Sequence, residues 1–231
     1  MARFFWLVLA LAGCAPTRES ASDDAGRLQD AAFLNQMFGL PAAAGPYFPP
    51  SDAQASIVCD YGRGNRRFAI VDEFQSRWFS QHLAAAGEPS LYLESQRQRD
   101  PSALTLRFTW LRTFHAPVIV RIEAAEGSYR LIARQLSGAG GYSPGQVSQR
   151  IDRQLTAHEA SRLRTLLSRN HFFDLPGAHC EMGTDGALWI FERADQAGYR
   201  VLTRWTPAYG PAHEVGLFLL GLTGWRFEIV Y

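Results

Sequence analysis

Asp185, Glu192, Tyr199 and Arg204 fall within one short stretch, GTDGALWIFERADQAGYRVLTRWTP (Gly183–Pro207), together with Trp189 and Trp205. Two carboxylates and a phenol at close range are raw material for acid–base chemistry, provided that the fold brings them into one cleft. The same stretch alternates as a β-hairpin does. With Asp195–Gly198 as its loop, Ala194 faces Tyr199, Trp189 faces Arg204 and Ile190 faces Thr203. Trp189, Phe191, Leu202 and Arg204 then share one face; Leu188, Ile190, Glu192, Val201 and Trp205 share the other. Both faces are largely apolar, so the hairpin is expected to be buried on both sides. Arg204 then has Trp189 to stack on, and Asp185 makes the turn in the Thr-Asp-Gly triplet. Glu192 is left as a carboxylate on an apolar face. Its expected partner is an arginine of a neighbouring strand, Arg107, Arg121 or Arg134. The alternative is a carboxyl group of raised pKa that works as acid or base.

The other groups with chemical potential are sparse. Histidines stand at 82, 115, 158, 171, 179 and 213, and none belongs to HExxH, HxH or a Cys-x-x-Cys arrangement. His171 and His179 would have to converge with Cys180 and Asp185 to hold a metal, and that spacing is unspecific. No metal or cofactor is therefore expected, and His171 stands beside Glu192 and Asp185 only as a candidate hydrolytic residue. All 23 basic residues are arginine, which excludes Schiff-base and lysine general-base chemistry. GxSxG, Walker A and Rossmann glycine patterns do not occur. GAGGYSPGQ (Gly138–Gln146) has glycines without the strand-to-helix context of a phosphate cradle. It reads as a surface loop carrying Tyr142 at its tip, the candidate for a binding contact.

These groups need elements to position them. Thr156 and Glu159 make a capping box for a helix over 157–169, with Ala160, Leu163, Leu166 and Leu167 as its apolar stripe. Helices are also expected over 27–39, 72–86 and 211–221, and strands over 90–95, 103–114, 117–125, 128–136, 186–194 and 199–205. Strands punctuated by helices, without βαβ alternation, predict a single α+β domain: a mainly antiparallel sheet with helices packed on one face. The body is expected to span 51–231.

The amino terminus reads as an address. MARFFWLVLALAGCAPT has one arginine, an apolar run too short to cross a bilayer, and then Leu-Ala-Gly-Cys. This resembles a bacterial lipobox, which implies a signal peptide over 1–13 and acylation of Cys14 as the first mature residue. Ala15, rather than aspartate, after the cysteine favours an outer membrane, with the protein facing the periplasm. Residues 14–50, with most of the proline-rich PAAAGPYFPPSD run (41–52), then read as a tether. Loss of Arg3 with the leader leaves 22 arginines against 22 acidic residues, and no block of like charge appears, so no nucleic-acid partner is expected. In an oxidising periplasm Cys59 and Cys180 form one disulfide or remain two buried thiols.

Four ordered segments carry a resemblance: WFSQHLAAAGEPSL (78–91), RFTWLRTFHAPVIVR (107–121), GAGGYSPG (138–145) and DGALWIFE with YRVLTRWTP (185–207). They are similar to a family of uncharacterised bacterial exported proteins with F-x-W-L-R-[ST]-F-H-x-P, G-G-Y-x-P-G and D-G-A-x-W-x-x-E…Y-x-V-x-R-W-x-P. Arg200 stands where that family pattern has histidine. The resemblance covers about residues 70–225 and implies one domain; it carries no activity and no site residues. The expected function is thus a lipid-anchored, non-enzymatic binding or scaffolding domain with an envelope protein among its possible partners. The alternatives are an envelope hydrolase using Glu192, Asp185 or a histidine, and an immunity-type lipoprotein.

Overall fold

In the computed structural model, residues 45–60, 62, 64–98, 100–181 and 183–231 are described. Cys14, the leader and the helix expected over 27–39 lie outside them. The centre is a pair of long, almost wholly buried strands, Leu104–Arg112 and Val118–Ala125. The strands are β1 (Ser56–Asp60), β2 (Asn65–Ala69), β3 (Leu104–Arg112), β4 (Val118–Ala125), β5 (Ser128–Leu136), β6 (Val147–Gln154), β7 (Ala187–Asp195) and β8 (Gly198–Trp205). The helices are α1 (Glu73–Ala85), α2 (Leu91–Arg97), α3 (Ala157–Arg169) and α4 (Gly210–Leu222). Six strands form one sheet in the order β6-β5-β4-β3-β7-β8, antiparallel at every pairing, and β1 and β2 form a separate hairpin.

The architecture is therefore α+β with an antiparallel sheet, but its helices cover both faces rather than one. Phe108, Trp110, Val120, Trp189 and Phe191 point to the face covered by α3 and α4, meeting Leu163, Val215 and Leu219. Leu111, Ile119, Leu188, Ile190 and Val201 point to the opposite face, meeting Phe79 and Leu83 of α1. Tyr47 and Phe48 belong to that second core, at 7% and 2% exposure, so the body begins before residue 51. The β7–β8 register matches the expected pairing, with Trp189 opposite Arg204 and Ala194 opposite Tyr199.

Local chemistry explains the helix ends. Asp72 and Gln75 form a capping box on α1, and Thr156 and Glu159 form one on α3. At the other end of α1, Gly87 takes φ +66° and the Glu88 amide donates to the Leu83 carbonyl at 2.9 Å. This is a Schellman stop, and it turns the next residue, Glu88, towards the sheet. The strand expected over 90–95 is instead part of helix α2: Ser90 caps it by accepting from the Leu93 amide at 3.2 Å. Its Tyr92 ring meets Tyr199 edge-on, at 5.7 Å.

Candidate functional site

The α1/α2 face of the sheet holds a buried charge network. Parity along β3, β4 and β5 places Arg107, Arg121 and Arg134 on that face, and Arg107 lies directly opposite Arg121 in the ladder. Like charges facing each other across strands repel, so the row needs acids. Glu192, opposite Arg107 on β7, is one. Its Oε2 accepts from Arg107 Nε at 2.7 Å and its Oε1 from Arg107 Nη2 at 2.7 Å. The Tyr199 hydroxyl donates to the same Oε1 at 2.8 Å. Glu88 is the other acid: it accepts from Arg121 Nε at 2.9 Å, pairs with Arg134, and lies 3.7 Å from Arg107 Nη1. Arg107 Nη1 donates to the Pro89 carbonyl at 2.6 Å, and Tyr47 donates to the Glu88 carbonyl at 2.9 Å. Glu123 closes the outer end by pairing with Arg121.

Glu192, Arg107 and Glu88 are all nearly inaccessible to water. Burial opposes charge on Arg107, but the carboxylates of Glu192 and Glu88 outweigh it and raise the guanidinium pKa. Burial and the neighbouring Glu192 carboxylate likewise hold the Tyr199 phenol well above its usual range. Glu192 is thus the anion of a bidentate ion pair, with a phenol on the same oxygen. Beside the network, Glu94, Thr105, Glu123, Ser128 and Arg130 line a shallow opening of about 360 Å³. Burial raises the Glu94 carboxyl pKa against the pull of Arg121 and Arg107.

The other expected site residues do not join this cluster. Asp185 is an exposed residue of the bend leading into β7, and His171 is an exposed residue at φ +44°, 3.6 Å from Asp174. Arg204 does not stack on Trp189; its guanidinium donates to the carbonyls of Pro176 at 2.7 Å, Gly177 at 3.3 Å and Thr203 at 2.7 Å. The carbonyls of Pro176 and Gly177 belong to the loop before β7, and a carbonyl oxygen is a stronger claimant for a guanidinium than a ring face. The Trp189 ring lies over His213 instead, at 6.1 Å. Arg200 serves the same loop, donating to Phe173 and Leu175. Cys59 and Cys180 are joined by a disulfide, which ties β1 to the segment before β7. Among the described residues no three His, Cys, Asp or Glu side chains are placed to hold a metal ion.

Tyr142 sits where the sequence places it, on a loop between β5 and β6, and it is 59% exposed. Its ring lies 6.2 Å from that of Phe114, itself 57% exposed. The loop is held from beneath. Trp78 of α1 donates its indole N–H to the Gly140 carbonyl at 2.7 Å, and the Trp78 ring is 6.2 Å from exposed Phe74. A Cβ at Gly140 would come within 2.6 Å of the Arg112 carbonyl, so only glycine lets this loop lie against β3. Next to Trp78 on the inner side of α1, His82 is fully buried and its ring makes no well-formed hydrogen bond. Burial lowers its pKa to about 4, with only partial compensation from the Gly140 backbone.

Glu88, Phe114 and His82 were not marked by their sequence context. Glu88 follows a helix-stopping glycine and precedes a proline, the setting of an ordinary surface turn. The signal that could have found it is arithmetic: three inward arginines on adjacent strands need more acid than Glu192 alone. The fold and site define an α+β domain with a buried arginine–glutamate network and an aromatic loop at one end. The chain matches no family model, no curated protein and no solved structure.

Proposed function

We propose that the protein is a lipid-anchored component of the bacterial envelope, held at Cys14, whose folded body is a non-enzymatic binding domain. The observation that carries this reading is the aromatic loop. Phe114 and Tyr142 stand exposed on a backbone fixed by Trp78 and by the close approach of Gly140 to β3. A rigid scaffold displaying large rings on a loop is a binding device, because little order has to be gained on contact. A hydrolase built on Glu192 finds no support in its surroundings. That carboxylate is closed by Arg107 and Tyr199, and Asp185 and His171 are exposed elsewhere. The resemblance to exported proteins and the lipobox support an envelope location.

Two measurements test it. Cys14→Ser is expected to move the protein from the membrane fraction to the soluble one, and unchanged membrane retention would overturn the anchor. A photo-crosslinking residue at position 142 in growing cells is expected to capture an envelope component, whereas one at Ser161 on α3 is not. Equal adducts from both positions would remove the loop from the binding surface.

A further inference from the structure

We infer that the aromatic loop docks on the phospholipid surface itself, so that the domain lies against the membrane to which Cys14 fastens it. The inference rests on the binding-loop reading above and names the partner of that loop. Phe74, Phe114 and Tyr142 are 66%, 57% and 59% exposed. They form two ring pairs, Phe74–Trp78 and Phe114–Tyr142, joined through the hydrogen bond from Trp78 to Gly140. Phenylalanine, tyrosine and tryptophan together are the side chains that partition to the boundary between headgroups and acyl chains.

What the loop lacks to offer decides between partners. The amides of Gly138, Ala139, Gly140, Gly141 and Tyr142 donate to Pro144, Ser143, His115, Thr113 and Ala139. The loop therefore has none of these amides left for an added peptide strand, and the exposed Phe114 and Tyr142 rings are its largest contact surface. Charge does not recruit the partner either. Arg77, on the same helix as the Phe74–Trp78 pair, is bound to Glu73 at 3.0 Å, and the chain has no lysine. With Asp72 and Glu73 exposed beside Phe74 and Arg77 alone to answer them, the aromatic surface has no net positive charge, and its contact with a lipid interface is made by the rings.

The tether makes such docking effective. Residues 15–44 separate Cys14 from the described body, and a chain of that length spans at most about 100 Å fully extended. The loop is thus confined near the bilayer, and contact that would be weak for a free protein becomes an intramolecular event.

The test uses the whole lipoprotein in vesicles of phosphatidylethanolamine and phosphatidylglycerol. Ser143→Cys carries an environment-sensitive fluorophore, and Ser161→Cys, on the opposite face of the sheet, is the control. The probe at 143 is expected to brighten severalfold, to be quenched by brominated lipids, and to respond alike at low and high salt. The probe at 161 is expected to do neither. Phe114→Ser with Tyr142→Ser is expected to abolish the change while the protein still floats with the vesicles. Floating protein whose two probes report the same aqueous setting overturns the docking and leaves the anchor standing. Brightening at 143 that requires added peptidoglycan fragments or membrane proteins also overturns it. Flotation that survives Cys14→Ser but not loss of the two rings keeps the docking and removes the anchor. No flotation in any form removes both.

Discussion

Lowering the pH from about 7 to about 4.5 forces a choice on His82. In the folded domain its ring is fully buried, without a well-formed hydrogen bond, and burial lowers its pKa from the ordinary 6.5 to about 4. A base whose pKa is lower in the folded state is kept neutral by folding, so the unfolded chain binds the proton first. Stability is then complete above the unfolded value and falls as pH drops from there towards the folded one. A gap of about 2.5 units corresponds to about 3 kcal/mol in full, of which about 2.5 kcal/mol is lost by about pH 4.5. Glu94, whose pKa is raised, works in the opposite direction in the lower part of this window. His179, lowered by burial and by Arg204, adds to the loss. His82→Leu separates the terms, because it removes one titration and leaves the others. Urea unfolding of both proteins across this range is expected to give a clearly flatter pH dependence for the variant. At neutral pH the variant should be no less stable, since two unsatisfied nitrogens leave the core. Parallel pH profiles for the two proteins would refute the reasoning.

The remaining predictions concern the network, the bridge and the loop. Glu192→Gln strands the buried Arg107 charge and is expected to cost about 3–5 kcal/mol in denaturant unfolding, while Tyr199→Phe costs about 1.5–3 kcal/mol. A double change of Glu192 and Arg107 to apolar residues should recover much of that loss, and failure to recover would mean that packing rather than charge is at stake. Reducing Cys59–Cys180, 121 residues apart in sequence, is expected to destabilise by about 4–5 kcal/mol in the chain-entropy picture, read as a lower unfolding midpoint in dithiothreitol. Gly140→Ala should detach the loop from β3 and raise amide exchange at Gly141 and Tyr142, with the sheet unaffected.

Much of this fold was legible from local pattern. The β7–β8 register follows from alternation, and α3 follows from Thr156, Glu159 and the leucine stripe, because these signals act within a few residues. The α2 segment misleads since Ser-Leu-Tyr-Leu-Glu-Ser alternates like a strand, while Ser90 as a cap and packing against β7 and β8 make it a helix. The β6 strand was missed because Val147 and Ile151 are its only large apolar side chains, as suits an edge with one wet face. Helices on both faces were implied by the hairpin reading itself, since a hairpin apolar on both sides needs two covers. Glu192 was legible as a carboxylate in need of an arginine, but the choice of Arg107 depends on which strand lies beside β7. Glu88 and Phe114 belong to the site only through contacts with distant elements, and no local pattern encodes those.

The place of β3 sets the order in which its two sides can be covered as the chain is made. This strand needs β4 on one side, which follows it at once, and β7 on the other, which arrives only after β5, β6 and α3. Arg107 and Glu192, whose pairing locks that second side, are 85 residues apart. A chain emerging amino end first therefore presents β3 with an open, strongly apolar edge until residue 195 has been made. During that interval any free strand nearby competes with β7 for the same hydrogen bonds. The sheet that makes the finished domain rigid thus carries a period of vulnerability, set by the distance along the chain between two neighbours in space.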